Sequence, residues 1–301
     1  MARRAGEGEG PAGPGAGGEG PAGPGAGGEA AARLIAAVRR ATGVDVAPFK
    51  REALVRKLLE LSAAEGAATL DEYAARLEGD PAAAAKAAGA LLNKTTSMFR
   101  DPAAFGLLRA TLPELLARRR GEGSTALRAW VAACATGEEA YSIAMCLADE
   151  IERQGAPMEP SVVASDVDAA ALARAASGLV DEAGAARVPA PLAERWLVRE
   201  GAGRRVAPGL RARVRFARHD LISSPLPAPA EAAFASFDLV SCRNLLIYLE
   251  PSAREGVLAR LVKACARGAL LWLGDAEWAP ESFAGQLAPV AGPASLYWVT
   301  P

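Results

Sequence analysis

Trp130-Val-Ala-Ala-Cys134-Ala-Thr136-Gly137-Glu138-Glu139-Ala-Tyr141-Ser142 joins an apolar run to an amphipathic one through a loop of tiny residues. Leu127 to Val131 predicts a short buried strand, and Glu138 to Glu150 carries helical periodicity through Tyr141, Ala144, Met145 and Ala148. The loop therefore sits at the carboxyl end of a strand, where open α/β sheets bind their ligands. A single glycine is too few for a pyrophosphate-binding fingerprint, which needs several so that backbone can approach the phosphates. The loop suits a cofactor without phosphates.

Downstream, Val162-Val163-Ala164-Ser165 predicts the next strand and ends in Asp166-Val-Asp168. An acid at that point holds ribose hydroxyls, or else caps the helix that starts near Asp168. Strand, loop, helix, strand and acid fit both a nicotinamide dinucleotide and S-adenosylmethionine. Only the first needs a loop shaped for a pyrophosphate, so S-adenosylmethionine is the better fit.

The 301 residues suffice for more than one core, and 51% hydrophobic with 23% charged content is that of an ordinary water-soluble protein. A formal net charge of -1 provides no overall field toward nucleic acid or an anionic membrane. No apolar run is long enough to span a bilayer and no apolar signal-peptide core opens the chain, so a cytoplasmic protein without membrane insertion is expected. Cys134, Cys146, Cys242 and Cys265 lack metal or redox spacing and read as reduced packing residues. His219 is the sole histidine, which disfavours a zinc site with histidine ligands and chemistry that needs proton shuttling; no metal is expected.

Glu9 to Gly18 repeats identically from Glu19 to Gly28, a composition too poor in large apolar residues to fold, so residues 1–29 are expected to form a disordered tail. Residues 30–95 predict a small all-helical domain with helices at Ala30 to Arg40, Pro48 to Ala63, Leu70 to Leu77 and Pro81 to Leu92. Thr69-Leu-Asp-Glu72 is a capping box, and Asp80-Pro81 and Asp101-Pro102 each place an N-cap before a first-turn proline. Residues 96–301 then alternate strand and helix, with strands at 127–131, 161–165, 236–241 and 269–273 and helices at 138–153, 168–176 and 251–266. That order implies an α/β fold with a mainly parallel, Rossmann-like sheet. From about 178 to 215 the pattern breaks into short pieces at Arg195 to Arg199, Arg204 to Val206 and Arg213 to Phe216, which predicts a small antiparallel β insertion whose last strand rejoins the main sheet. Ser295 to Thr300 predicts a final strand.

Four blocks in this order resemble one family: Thr96-Ser-Met-Phe-Arg100-Asp-Pro102, Ala135-Thr-Gly-Glu-Glu-Ala-Tyr-Ser142, Ser165-Asp-Val-Asp168 and Phe237-Asp-Leu-Val-Ser-Cys-Arg-Asn-Leu-Leu-Ile-Tyr248. They resemble the chemotaxis-receptor protein-glutamate O-methyltransferases of the CheR type, from about Phe49 to the C-terminus. The resemblance implies a helical N-terminal domain, an S-adenosylmethionine-dependent methyltransferase domain, and a β insertion that helps dock a methyl-accepting chemoreceptor-type signalling protein. It implies cofactor contacts at Asn93, Thr96, Arg100, Glu138, Asp166, Asp220, Leu221, Asn244 and Leu245, with Arg100 and Tyr248 beside the transferred methyl group. A monomer is expected. The chain departs from the family at Lys94, where asparagine is frequent and Asn93 stands one position earlier, at Asp220 in place of asparagine, and at Gly274-Asp275-Ala276-Glu277 in place of Gly-His-Ser-Glu.

The residues also admit plainer roles: a salt bridge for Arg100, packing for Tyr248, a turn cap for Asn244 and a helix-dipole partner for Glu138. Lys50, Arg51, Arg56 and Lys57 fall on one predicted helix, either as a solvated face or as a surface for acidic receptor helices. Two rivals follow from the departures: a receptor-binding module without catalysis, and a methyltransferase for another carboxylate acceptor.

Overall fold

The computed structural model describes residues 26–92, 96–232, 236–292 and 295–300. The tail through residue 25, and with it Asn93 and Lys94 further on, lies outside the described residues.

The helices α1 (Ala26–Thr42), α2 (Arg51–Ala64), α3 (Leu70–Gly79) and α4 (Pro81–Leu91) pack around Leu34, Leu58, Tyr73 and Leu77. Thr69 accepts the N–H of Glu72, and the Glu72 carboxylate accepts the N–H of Ala68 rather than that of Thr69, so the capping box is offset by one residue. Asp80 accepts the N–H groups of Ala82 and Ala83. Helix α1 starts at Ala26 instead of Ala30 and takes up the end of the second repeat. Helix α2 starts at Arg51 instead of Pro48 because Phe49 bridges to Leu249 and Lys50 donates its N–H to the Tyr248 carbonyl at 2.7 Å. Lys50 is thus an N-cap residue rather than a helical one.

Helix α5 (Pro102–Gly121) buries Leu108, Leu112, Leu115 and Leu116 and leads into β1 (Ala126–Ala132). Then follow α6 (Glu138–Arg153), β2 (Glu159–Asp166) and α7 (Ala169–Ser177). The insertion comprises β3 (Leu179–Val180), α8 (Glu182–Ala185), α9 (Ala190–Trp196), β4 (Leu197–Glu200), β5 (Gly203–Val206) and α10 (Pro208–Arg211). The chain closes with β6 (Val214–Arg218), β7 (Phe237–Cys242), α11 (Pro251–Ala264), β8 (Cys265–Leu273), β9 (Leu287–Pro289) and β10 (Leu296–Val299).

The main sheet has seven strands in the order β6-β2-β1-β7-β8-β10-β9. From β6 to β8 neighbours run parallel, and β10 is antiparallel to both β8 and β9. Residues alternate between faces: Ala129 and Val131 pack under α5 and α6, while Trp130 and Ala132 pack toward Val257, Leu258 and Leu261 of α11. Every residue of β7 is buried, as a central strand covered on both faces requires. In the small antiparallel sheet, ordered β3-β5-β4, a Cβ on Gly203 would lie 2.9 Å from the Val180 carbonyl, so glycine allows the approach of β5 to β3. The piece expected as a strand from Arg195 is still helical at Trp196, because Leu192 and Trp196, four residues apart, bury together.

Candidate functional site

Strand order reverses beside β1, whose neighbours are β2 on one side and β7 on the other, so the chain leaves β1 in both directions. In parallel sheets this is where the carboxyl ends splay and leave a crevice. A cavity of about 630 Å³ lies there. Its floor is made by Ala133 to Ala135 after β1, Asp166 and Val167 at the end of β2, His219 to Ile222 after β6, and Arg243 to Leu245 after β7. Its roof is the helical layer, through Val44, Phe49, Leu54 and Arg56. That layer is fastened by Lys50 N–H to Tyr248, Glu250 N–H to the Pro48 carbonyl at 2.9 Å, and Arg218 to the Thr42 carbonyl at 2.8 Å.

The opening loop is held by three main-chain donors: Cys134 N–H to the Ser165 carbonyl, Ala135 N–H to Asp166 Oδ2 at 2.8 Å, and Gly137 N–H to the Cys134 carbonyl. Ala133 and Ala135 adopt φ of 53° and 47°, and such left-handed non-glycine residues cost on the order of 1–3 kcal/mol each. Gly137, at φ 90°, has no room for a side chain, since a Cβ would lie 2.7 Å from that of Ala175.

Asp166 accepts the N–H of Asp168 through its other oxygen at 2.9 Å, while Asp168 itself caps α7. Burial raises the Asp166 carboxyl above the ordinary aspartate value, against the opposing pull of the Asp168 and Ala135 N–H groups. Asp220 lines the cavity and uses one oxygen to accept from Ile222 and Ser223. Asn244 stands at φ 62°, tolerated because asparagine enters the left-handed region readily. Its N–H goes to the buried carboxylate of Glu277, which also accepts from Gly274 at 2.7 Å and from Ile247 at 3.2 Å. Glu277 thereby shapes the turn that carries Asn244, Leu245 and Tyr248.

Thr96, Arg100, Asp166, Asp220, Leu221, Asn244, Leu245 and Tyr248 all line this one cavity. Glu138 does not; its carboxylate accepts from the Thr136 hydroxyl at 2.7 Å, and the neighbouring Glu139 lines the cavity instead. Asn93 falls outside the described residues. Asp101 holds the N-cap position of α5 ahead of Pro102, as expected, but at φ 61° its side chain makes no capping bond, and its carboxylate pairs with Arg243 at 2.7 Å. Sequence reading gave no role to Glu139, Arg243 or Glu277. All three stand inside or beside the quoted blocks, but a one-residue choice at the start of a helix cannot be made from periodicity.

His219 is buried against Trp130, and burial lowers its pKa. Burial pushes the Cys146 thiol up to about 12 and raises those of Cys134, Cys242 and Cys265 as well, so none is a thiolate at neutral pH. The cavity volume suits a nucleoside-sized ligand, with acids to meet hydroxyl and amino groups and Val167, Leu221 and Ile222 to enclose a base.

The family described as CheR methyltransferase, SAM binding domain, matches residues 94–291. With the sheet and the cavity at its carboxyl edge, this makes the chain an S-adenosylmethionine-dependent methyltransferase. The chain is similar to the chemotaxis protein methyltransferase Cher2 of Pseudomonas putida, with 30% identity over 80% of this chain and 86% of the relative. It is also similar to a chemotaxis protein methyltransferase of Klebsiella aerogenes, 32% identical over 81% of each chain. An uncharacterized 104.1 kDa protein in the hypE 3' region of Rhodobacter capsulatus is 34% identical over 81% of this chain, which spans only 25% of that protein's length. The chain belongs to the CheR methyltransferase family.

Proposed function

We propose that the chain forms glutamyl methyl esters on a methyl-accepting chemoreceptor-type signalling protein in the cytoplasm, acting as a monomer to adjust receptor output. The observation that carries this reading is the convergence of Thr96, Arg100, Asp166, Asp220, Asn244 and Tyr248 on one roofed cavity. S-adenosylmethionine, when bound, supplies an activated methyl group on a sulfonium.

A glutamate carboxylate, with an unperturbed pKa of about 4.3, is ionised at neutral pH and needs no base to become a nucleophile. The protein's task is alignment and exclusion of water, and orientation alone can supply on the order of 7–11 kcal/mol. This chemistry is compatible with a site whose lone histidine is buried and uncharged at neutral pH. Arg100 grips the acceptor carboxylate with paired donors and leaves one oxygen aimed at the methyl group. Tyr248 sets its ring or hydroxyl beside the sulfonium. Asp166 accepts from the ribose hydroxyls with lone pairs left over from its two main-chain bonds, Asp220 accepts from the adenine amino group, and Asn244 meets the amino-acid end of the cofactor. Glu139, on the cavity wall, is better placed than Glu138 to meet the methionine ammonium.

Lys50, Arg51, Arg56 and Lys57 are exposed, and Arg56 and Lys57, the latter paired with Glu60 at 3.0 Å, line the cavity, which supports this face as the docking surface for an acidic receptor helix. Calorimetry with S-adenosylhomocysteine tests the cofactor half of the reading. Asp166→Ala should weaken binding roughly 10- to 100-fold, the worth of charge-assisted hydrogen bonds. Unchanged affinity would remove Asp166 from the site. Transfer of labelled methyl to a small-molecule fraction instead of protein would favour a different carboxylate acceptor, and absence of cofactor binding to folded wild type would favour a receptor-binding module.

A further inference from the structure

Arg100 lies between two residues in the left-handed region, Phe99 at φ 48° and Asp101 at φ 61°. Neither is glycine, so the loop holds this shape only because its surroundings enforce it. On one side the Phe99 N–H donates to the Ser142 hydroxyl at 3.0 Å, and Ser142 in turn donates to the Glu138 carbonyl at 2.7 Å. On the other side stands Arg243.

The Arg243 side chain is fully buried, at 0% exposure, so the surface this residue contributes to the cavity floor is main chain. Its guanidinium bonds Asp101 Oδ2 at 2.7 Å, Glu139 Oε2 at 3.1 Å and the Arg100 carbonyl oxygen at 3.4 Å. It lies over the Trp272 ring at 4.4 Å, and Trp272 meets Phe105, which meets Phe99, so an aromatic ladder backs the loop. Arg100 Nε is 3.9 Å from the Asp101 oxygen that Arg243 takes at 2.7 Å. The shorter bond belongs to the buried arginine, which draws the Asp101 carboxylate inward and away from its neighbour. Glu139, held also by the Ser241 hydroxyl at 2.6 Å, connects the same guanidinium to the cavity wall.

We infer that Arg243 is a positioning residue that clamps the strained Phe99–Asp101 loop through Asp101 and the Arg100 carbonyl, and so fixes where Arg100 presents its guanidinium to the acceptor carboxylate. This rests on the role proposed above for Arg100. A buried cation that forks between a main-chain carbonyl and two carboxylates does what lysine cannot, because lysine lacks the planar fork.

The test uses the full chain, tritiated S-adenosylmethionine and the purified cytoplasmic signalling fragment of a methyl-accepting chemoreceptor. Asp101→Gly removes the clamped carboxylate at a position where glycine accepts the backbone shape freely and no capping bond is lost. Arg243→Lys keeps the charge beside Glu139 and loses the fork. Both should lower kcat roughly 10- to 100-fold, the effect of a misplacement of about 1 Å, while affinity for S-adenosylhomocysteine stays within about twofold of wild type. Amide exchange at Phe99 and Arg100 should quicken in Arg243→Lys; should that variant fail to fold, Asp101→Asn, which keeps the shape and drops the charge, takes its place. Wild-type kcat and exchange in folded variants overturn the clamp, as does a loss of kcat matched by an equal loss of cofactor affinity. If wild type transfers no methyl to the fragment, the functional reading fails on its own, and the exchange comparison alone decides the clamp, with unchanged exchange refuting it.

Discussion

Asp166 shows how one side chain serves the fold and the proposed chemistry together. Its oxygens tie the loop after β1 to the start of α7, and its raised carboxyl follows from burial. The folded protein therefore takes up a proton on acidification before the unfolded chain does, so protonation in that window does not weaken the fold. It does remove an anionic acceptor. Affinity for S-adenosylhomocysteine should thus fall on mild acidification at pH values where an ordinary aspartate is still ionised, while the Asp166 contribution to the thermal transition rises rather than falls; calorimetry and melting across the same pH series check both halves. Glu277 offers a contrasting case, since three N–H groups converge on its buried carboxylate. Glu277→Ala should destabilise the protein by about 3 kcal/mol or more, given about 1–3 kcal/mol for each donor left unpaired, and urea titration measures this directly.

At the scale of elements, the strand–loop–helix unit from Ala126 to Arg153 is the joint on which the cavity depends. Gly137→Ala adds a methyl group against Ala175 in a backbone conformation that disfavours any side chain, so a loss of about 2 kcal/mol in stability is expected from chemical denaturation. The basic residues around the start of α2 make a separate prediction. Neutralising Lys50, Arg51, Arg56 and Lys57 together should weaken receptor capture roughly tenfold at low salt, and the difference from wild type should shrink as ionic strength rises. The alternating elements of the sheet and helix α6 were legible because their periodicity is local and strong: α6 begins and ends where Glu138 and Arg153 predict. The insertion was only partly legible, because Trp196 belongs to a helix through its partner Leu192 and a core that the local pattern does not mention. Most of the cavity wall could be named from motifs, whereas Glu139 acquires its meaning from Ser241 and Arg243 from Asp101, each partner remote in the chain.

For the whole molecule, the helical layer and the sheet are joined across the cavity by the Lys50–Tyr248, Pro48–Glu250 and Thr42–Arg218 hydrogen bonds. A ligand that fills the space between them should hold both. Saturating S-adenosylhomocysteine, at about 100 times its Kd, should add about 2.7 kcal/mol to stability and slow amide exchange at Lys50 and Glu250 together. Strand order has a kinetic consequence. The cavity floor gathers residues near 134, 166, 220 and 244, one stretch from the end of each of β1, β2, β6 and β7. None of these stretches holds the ligand alone, so a half-assembled chain has nothing to offer it. The cofactor is then a passenger in folding: it leaves the refolding rate alone and acts as a brake on unfolding, prolonging the lifetime of a native state the chain must first reach unaided.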